Sequence, residues 1–334
     1  MPPRPRQRNG QRVTSADVAA AAGVSRATVS YVLNGVHDRI SERTRERVFD
    51  AAERLGYVPN AVASALRAGR TEIVLLALPS WPLGPAVAEW VSTGVAAFEE
   101  LGYTPLVHFK HGDDAASFSR ACDRVRPVAL VAPGEDLPPA RVVSLRENGT
   151  RGLLAIAPEP LAHVATIVVD QSIVGEIAAT HLIERGHRMI VALVPSEPEF
   201  AEIGAERLRG AERAAAAHGV VVLPVRGECS APGIARALAP VLGERPSALY
   251  AFNDEFALGA IEALTEAGLS VPGDVAVIGC DDSQAARRTR LTTIRLGDPK
   301  SWRTYVARLQ RMIEGDDDVS PIAASPKLVP GATT

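Results

Sequence analysis

The chain has 334 residues, and its hydrophobic content of 46% with only 4% aromatic residues predicts a large aliphatic core in two or three domains. The net charge of −3 is unevenly divided, because residues 1–70 hold twelve arginines against six acidic residues, a net charge of +6, which leaves −9 for the rest. This composition excludes global disorder and predicts a polyanionic partner at the N-terminal end.

Cysteine usage and hydropathy narrow the class of protein further. Cys122, Cys229 and Cys280 are isolated and form no CxxC pair, which argues against a disulfide framework or a zinc site. Residues 1–12 lack the apolar stretch of a secretion signal, and no apolar run approaches the roughly 20 residues of a membrane span. We therefore expect a cytoplasmic protein without a membrane partner, with residues 1–12 as a disordered basic tail.

Residues 13–58 carry the signals of three short helices. Thr14 and Ser25 are placed to cap the first two helices, and Gly23 ends the first because glycine adopts positive φ freely. In the second helix, the apolar spacing i, i+3, i+4 directs Val29, Val32 and Leu33 inward. The face that remains outward consists of Arg26, Ala27, Ser30 and Tyr31. The alternative is a small amphipathic helical bundle that binds no ligand.

Residues 59–70 predict a helix too short to be stable alone. Asn60 is placed to cap it, and so short a helix forms only when something packs on it. Leu66 is an apolar residue on no evident core stripe. It is either an ordinary linker leucine or a wedge that enters the minor groove of DNA and kinks the duplex.

From residue 71 onward, apolar strands alternate with helices in two successive blocks, the pattern of parallel sheets covered by helices on both faces. The first block predicts strands 73–78, 104–108, 128–131 and 153–157 with helices 87–101, 115–125 and 142–148. The second predicts strands 166–169, 190–194, 220–223, 248–252 and 275–279 with helices 173–185, 205–218, 234–242 and 257–267. Two such lobes indicate a clamp with its ligand in the cleft.

Ligands of open parallel sheets lie beyond the carboxyl ends of the strands, and three such ends are polar here. They carry Asp170, Asn253-Asp254 and Asp281-Asp282, and Arg207 begins a nearby helix. The alternative for each carboxylate is a helix cap or a solvated loop, and for any one aspartate taken alone that alternative is favoured. Their grouping in one lobe favours a cleft.

The run VTSADVAAAAGVSRATVSYVLNG, followed by SERTRERVFDAAERLGYVPNAVASALRAGRT, resembles the head and hinge of the LacI/GalR family of bacterial transcription regulators. The runs VVDQSIVGEIAATHLIERGHRMIVAL, AERLRGAERAAAAHG, YAFNDEFALGAIEALTEAGLSVPGDVAVIGCDDS and LTTI are similar to that family's effector domain. The resemblance implies a multidomain protein: an all-α helix-turn-helix DNA-binding head with a hinge helix, and a bilobed α/β effector domain with the fold of periplasmic binding proteins.

The resemblance also implies boundaries and roles. The DNA-binding head is expected at 13–58, the hinge at 59–70 and the effector and dimerisation domain at 71–334, with lobe 1 at about 71–165 and 296–325 and lobe 2 at about 166–295. In the family the second helix enters the major groove, so Arg26, Ala27 and Tyr31 take the base-reading positions and Leu66 the intercalating one. The remaining DNA-binding positions are Thr14, Ser25, Thr28, Ser30, Asn34, Asn60 and Ala63.

The effector contacts implied by the resemblance are Arg207, Asn253 and Asp281, to which Asp170 is added as a polar strand end. Arginine with amide and carboxylate side chains suits the vicinal hydroxyls of a sugar or nucleoside. Trp81 either stacks on a sugar face or covers the core. The chain departs from the family at Tyr31, where arginine is frequent, and at Cys229 and Arg295, where sugar regulators often carry tryptophan and glutamine.

These observations predict a homodimeric, sequence-specific regulator, a repressor, that binds a pseudo-palindromic double-stranded operator and responds to a small molecule. A ligand-independent regulator of the same fold is the alternative. A solute-binding protein fits the body, but the head argues against it. An enzyme is not expected, because no P-loop, HExxH or GxSxG motif accompanies the carboxylates, and no cofactor or metal site is predicted.

Overall fold

A computed structural model describes residues 13–33, 40–57, 71–78, 84–110, 115–297 and 300–334. The chain divides into two compact units, Met1–Thr71 and Glu72–Thr334. The predicted tail at 1–12 and the predicted hinge helix at 59–70 lie outside the described residues.

The first unit contains the three predicted helices, α1 (Ser15–Ala22), α2 (Arg26–Leu33) and α3 (Glu42–Leu55). The Asp17 carboxylate accepts hydrogen bonds from the backbone N–H of Thr14 at 2.8 Å and from its hydroxyl at 2.7 Å, which fixes the start of α1. α1 ends at Gly23, where φ is 64°. The apolar faces of the helices share one buried core that includes Val18, Val29 and Val48. The all-α head predicted from the sequence is confirmed.

The second unit alternates strands and helices as the periodicity predicts. Its first part contains β1 (Ile73–Leu78), α4 (Pro85–Glu99), β2 (Thr104–Phe109), α5 (Ala115–Val125), β3 (Ala129–Pro133), a 3-10 turn (Gly134–Asp136), α6 (Pro139–Glu147), β4 (Gly152–Ala157) and β5 (Ala165–Val168). Its second part contains α7 (Gln171–Glu184), β6 (Met189–Pro195), a 3-10 turn (Pro198–Phe200), α8 (Ala201–Ala216), β7 (Val221–Gly227), α9 (Ala231–Leu242), β8 (Ala248–Ala251), α10 (Asp254–Glu266), β9 (Ala276–Ile278), α11 (Gln284–Thr289) and β10 (Thr293–Arg295). The chain closes with α12 (Ser301–Glu314), β11 (Ile322–Ala323) and β12 (Lys327–Val329).

The first lobe is built on a parallel sheet with strand order β11-β5-β4-β3-β1-β2. Apolar clusters line both of its faces, and α12 returns from the C-terminal part of the chain to cover one of them. There Trp302 is 2% exposed, and its ring nitrogen donates a hydrogen bond to the carbonyl of Trp90 at 2.7 Å. The lobe is therefore assembled from two separate stretches of chain.

The second lobe is built on a parallel sheet with strand order β7-β6-β8-β9, beside an antiparallel pair of β10 and β12. One buried cluster lies under α7 and α8 and the other under α9 and α10. The last residues complete this lobe, because the Thr333 carbonyl accepts a hydrogen bond from the N–H of Val277 on β9 at 2.7 Å. The chain passes between the lobes after β5, after β10 and after β11.

One strand lies in a different lobe from the one predicted. Residues 166–169 are predicted to belong to the second lobe, whereas β5 pairs in parallel with β4 in the first sheet. A short buried strand is apolar on both faces in either sheet, so its composition does not identify its neighbours. The second lobe instead begins at α7. Within the described residues, no helix combines the length and apolarity needed to cross a membrane.

Candidate functional site

The outward face of α2 is the candidate recognition surface of the first unit. Arg26 and Ala27 are exposed and Tyr31 is 54% exposed, while Val29 and Val32 are buried. The Ser25 hydroxyl accepts a hydrogen bond from the N–H of Thr28 at 3.0 Å, so Ser25 caps the helix and holds its first turn. The face predicted to read bases is thus open to solvent, and its contacts with DNA remain a prediction.

Several predicted site residues lie outside the described residues. They are Asn34, Asn60, Ala63 and Leu66 of the DNA-binding set and Trp81 of the effector set. Their roles therefore remain predictions from the sequence.

Arg207 is the centre of the polar group in the second lobe. It lies on α8 and is 4% exposed. Its Nε donates to the amide oxygen of Gln171 at 2.9 Å, and its Nη1 donates to the carbonyl of Phe252. The guanidinium carbon lies 4.6 Å from the centre of the Phe252 ring, a cation–π distance. These contacts fix the guanidinium beside the carboxyl end of β8.

Two glycines set the position of Arg207. A Cβ on Gly175 of α7 would overlap the carbonyl oxygen of Arg207 and lie 2.8 Å from the backbone nitrogen of Ala211. A Cβ on Gly210 would likewise overlap the carbonyl oxygen of Ser172. The backbones of α7 and α8 therefore touch at this crossing, which brings Arg207 within hydrogen-bonding distance of Gln171.

Asp281 lies beside Arg207 in the loop after β9. Burial raises the pKa of Asp281 to about 6, against the lowering effect of the Arg207 charge. Burial acts to lower the pKa of Arg207, but Cys280, Tyr250, Asp281 and Asp254 together outweigh it and raise that pKa. Asp281 and Asp282 have φ of 111° and 52°, so two successive residues adopt the left-handed region.

A buried hydroxyl adjoins this pair. Tyr250 on β8 is 1% exposed, and its hydroxyl oxygen has no hydrogen-bond partner among the described residues. Burial raises the pKa of Tyr250. The charge of Arg207 opposes this rise, whereas Cys280 and Asp281 add to it. The surroundings of Arg207 and Asp281 therefore have a low dielectric constant, which strengthens the electrostatic interactions of these two side chains.

Asn253 and Asp170 are helix caps as well as predicted contacts. The Asn253 side-chain oxygen accepts a hydrogen bond from the N–H of Phe256 at 3.0 Å, and Asp170 accepts one from the N–H of Ser172 at 2.9 Å. The capping alternative is thus realised at both positions. Even so, Asp170 directly precedes Gln171 and Asn253 directly follows Phe252, the two residues that accept hydrogen bonds from Arg207. The four described effector candidates, Asp170, Arg207, Asn253 and Asp281, therefore lie at one edge.

Asp254 is a buried brace that sequence reasoning did not separate from Asn253. It is 1% exposed and accepts hydrogen bonds from the N–H of Ser283 at 2.7 Å and the hydroxyl of Thr293 at 2.5 Å. Its own N–H donates to the Cys280 carbonyl at 2.8 Å. It therefore anchors both sides of the loop that presents Asp281.

The first lobe contributes a charged pair that sequence reasoning missed. Lys110 follows β2 and donates to Asp136 after β3 at 2.7 Å, with both side chains mostly buried. The rule that ligands lie beyond the carboxyl ends of strands pointed to both positions, but no motif singled them out. Among the described residues, no group of three or more His, Cys, Asp or Glu side chains is placed to hold a metal ion.

Comparison with known proteins covers both units. Residues 14–60 match the family described as bacterial regulatory proteins, lacI family, and residues 179–334 match the periplasmic binding protein-like domain. The chain is 31% identical over 317 residues to the HTH-type transcriptional repressor PurR of Aliivibrio fischeri (strain MJ11), which covers 91% of this chain and 93% of PurR. The chain belongs to the LacI family.

This LacI-family chain is also 32% identical over 296 residues to the HTH-type transcriptional regulator GalR of Escherichia coli K12, covering 84% of each. A crystal structure of the lac repressor dimer bound to operator and the anti-inducer ONPF superposes with a TM-score of 0.78 at 27% identity, covering 97% of this chain and 99% of that one. The family and fold class predicted from the sequence are confirmed. The chain is a DNA-binding regulator with a ligand-binding domain, and its relatives are repressors rather than enzymes.

Asp281 gives this LacI-family regulator a pH-dependent stability. Its folded pKa of about 6 exceeds the ordinary value of 3.8, so the folded state binds more protons than the unfolded state between these values. The free energy of unfolding therefore falls as pH rises through this window. We expect Asp281→Asn to be more stable than the unchanged chain by about 1–2 kcal/mol near pH 7.5, after allowance for partial exposure, and to lose this advantage near pH 4.

Urea unfolding of both chains at the two pH values, followed by circular dichroism, measures this difference. A difference that is constant with pH would show that Asp281 ionises normally in the folded protein. Because the substitution is isosteric, packing is preserved and the comparison isolates the charge.

Proposed function

We propose that this regulator represses transcription as a homodimer, in which two heads at 13–58 read the halves of a pseudo-palindromic operator. The observation that carries the proposal is the capped α2 with Arg26, Ala27 and Tyr31 on its open face. PurR and the lac repressor, which the chain resembles over more than nine-tenths of its length, bear the name repressor, and the latter was crystallised as a dimer on its operator. A two-fold dimer places its recognition helices on half-sites about one helical turn apart.

In this proposal the hinge at 59–70 packs in the minor groove, with Leu66 as the wedge, and Thr14, Ser25, Thr28, Ser30, Asn34, Asn60 and Ala63 contact the backbone or cap helices. Phosphate neutralisation by the arginine-rich head makes operator affinity fall steeply with salt. The protein acts in the cytoplasm. These assignments follow the family pattern residue by residue.

The effector in this proposal is a small hydroxylated molecule, a sugar or nucleoside, held between Arg207, Asn253, Asp281 and Asp170 with Trp81 from the first lobe. Arg207 Nε and Nη1 are engaged within the protein, which fixes the orientation of the guanidinium. A guanidinium held in this way and the Asp281 carboxylate suit adjacent hydroxyls. A coupling of roughly 1–3 kcal/mol between the two sites would change operator affinity about 5–150-fold.

In vitro selection of DNA by the purified full chain, repeated with sugars and nucleosides one at a time, tests the proposal. Enrichment of a two-fold symmetric sequence supports operator recognition, and its absence contradicts it. A compound that changes the enrichment identifies the effector class. An operator that no compound affects would favour the ligand-independent alternative.

Arg26→Ala is expected to remove discrimination at one base pair of each half-site. Arginine makes a bidentate contact with guanine that a phenol cannot make, so Arg26 rather than Tyr31 is assigned the guanine. The loss is about 1–3 kcal/mol per contact, or roughly 5–150-fold in affinity for the selected operator. Affinity for mutated operators lacking that guanine should change little.

Binding isotherms of the variant on selected and single-base-substituted operators measure this effect. Arg54→Ala, an exposed arginine in the last turn of α3, is the control for loss of charge. If Arg26→Ala weakens binding to all sequences equally, Arg26 contacts phosphate and the base-reading assignment is wrong.

A further inference from the structure

Charged side chains of the second lobe approach the first lobe at two places near the start of α4. Arg287 of α11 lies 3.6 Å, from Nη1, from Oε1 of Glu89 on α4. Glu255, in the first turn of α10, has its Oε2 3.8 Å from the position of a Cβ on Gly84, the residue that precedes α4. Both contacts fall at the N-terminal end of one helix.

Arg287 is held in place by the buried carboxylate of Asp282 in its own lobe. Its Nε lies 3.2 Å from Oδ1 of Asp282, and Oδ2 of Asp282 lies 2.7 Å from Nε of Arg295. The Asp282 side chain is 4% exposed, and its backbone N–H donates to the Thr293 hydroxyl at 3.2 Å. A buried carboxylate fixed on several sides thus directs the Arg287 guanidinium toward Glu89.

Glu255 meets the positive end of the α4 dipole. Gly84 occupies the N-cap position of α4 and offers no side-chain oxygen, and Pro85 at the first helical position has no N–H. The N–H groups of the following residues therefore form the partial positive charge of the helix start. The Glu255 carboxylate of the second lobe is therefore stabilised at the start of α4. One turn further along α4, the Glu89 carboxylate attracts the Arg287 guanidinium of the second lobe.

We propose that Glu255 at the start of α4 and the ion-pair series Glu89–Arg287–Asp282–Arg295 form an electrostatic tie that holds the two lobes together. Asp282 follows Asp281 directly, so a ligand that moves the Asp281 backbone moves the residue that aims Arg287. The residues of the tie, which are Glu89, Arg287, Asp282, Arg295 and Glu255, act by positioning the two lobes on either side of the cleft. The tie does not depend on which effector binds.

The expected strength of the tie is moderate. Arg287 and Glu89 are 46% and 53% exposed, so water screens their attraction. Exposed pairs of this kind change an equilibrium about 1.4- to 5-fold. Such a change is small for folding but large for a balance between open and closed lobes, which a ligand shifts by comparable factors.

Hydrogen exchange of the full chain tests the tie without any ligand. Glu89→Lys places a like charge opposite Arg287, and we expect amide exchange in the first turns of α4, α10 and α11 to rise about 2- to 5-fold, because the lobes separate more often. Glu89→Gln should give a smaller rise of the same kind. Glu99→Lys and Glu99→Gln, at the exposed far end of α4, are matched controls and should exchange as the unchanged chain does.

Salt separates an electrostatic tie from a packing role of Glu89. In about 1 M sodium chloride the Debye length falls to roughly 3 Å, so the unchanged chain should exchange as Glu89→Gln does. Glu89→Asp, which keeps the charge, should restore part of the protection at low salt. The proposal is overturned if Glu89→Lys and Glu99→Lys exchange alike at low salt, or if the Glu89→Lys difference persists unchanged at high salt.

Discussion

Gly175→Ala is expected to lower the free energy of unfolding by about 3 kcal/mol or more and to displace Arg207. The added Cβ would overlap the Arg207 carbonyl oxygen and lie 2.8 Å from the nitrogen of Ala211. Both atoms belong to the backbone of α8, which cannot rotate aside as a flexible side chain does. The helices must therefore separate, and the 2.9 Å hydrogen bond between Arg207 and Gln171 must lengthen.

Urea unfolding followed by far-ultraviolet circular dichroism measures the loss of stability. Gly243→Ala is the matched control, because Gly243 has helical angles (φ −62°, ψ −28°) and no atom lies within 4 Å of an added Cβ. That substitution should leave stability unchanged or raise it by up to about 1 kcal/mol, since it reduces the freedom of the unfolded chain. Equal stabilities of the two variants would contradict the close crossing of α7 and α8.

The effector response provides a second readout of Gly175→Ala once a ligand is identified. Operator binding depends on the head, so it should survive below the unfolding temperature, while the response to ligand should weaken with the displacement of Arg207. A variant that is destabilised yet responds normally would show that Arg207 does not contact the effector.

The head was predictable from sequence because its signals are local. The capping pairs Thr14–Asp17 and Ser25–Thr28 lie three residues apart, and the turns end at glycines with positive φ, Gly23 among them. Such signals depend on the backbone within one turn and not on distant contacts. In the body, apolar runs and their alternation with helical stretches predicted β1 and α5 at their observed bounds.

Element starts were less predictable where polar residues begin a helix. The prediction begins at residue 205 where α8 begins at Ala201, because Glu202 and Gly204 interrupt the apolar pattern of the first turn. α12 was not predicted as a helix, although Trp302, Tyr305, Val306 and Leu309 follow a helical spacing that would have revealed it.

Contacts between residues that are distant in the chain could not be predicted from the sequence. The place of β5 beside β4, the seat of Arg207 over Phe252 and the pairing of Glu89 with Arg287 join residues that are distant in the chain. One sequence records which side chains are charged or apolar, but many pairings satisfy the same pattern. The strand-end rule nevertheless pointed to Asn253 and Asp281, which follow β8 and β9 in the structure, because that rule follows from topology alone.

Asp254→Ala is expected to lower the free energy of unfolding by about 2–4 kcal/mol, since hydrogen bonds to a buried carboxylate contribute about 1.5–3 kcal/mol each and burial of the charge offsets part of that. The loss leaves the N–H of Ser283 and the O–H of Thr293 without their acceptor in a buried site, although the Thr293 oxygen still accepts from the N–H of Asp282. The loop that carries Asp281 should then exchange its amide protons faster, and any effector response should fall with it. Unchanged exchange at residues 280–283 would show that Asp254 does not brace the loop.

Asp274 is a control with the same chemistry and the opposite environment. It accepts hydrogen bonds from the N–H and hydroxyl of Ser270 at 2.7 and 2.5 Å, yet it is exposed. These bonds lower the pKa of Asp274, whereas burial raises the pKa of Asp254 despite equivalent bonds. A raised pKa contributes stability at low pH that is lost as pH rises, and a lowered pKa contributes stability that is lost as pH falls.

The two alanine variants should therefore show opposite pH trends in urea unfolding. The deficit of Asp254→Ala should be largest in acid and shrink toward neutral pH, and the smaller deficit of Asp274→Ala should appear near neutral pH and vanish in acid. Parallel trends would mean that hydrogen bonding alone governs both carboxylates. Opposite trends would establish that burial decides the ionisation of Asp254, and with it the low-dielectric character of the edge at which Arg207 and Asp281 lie.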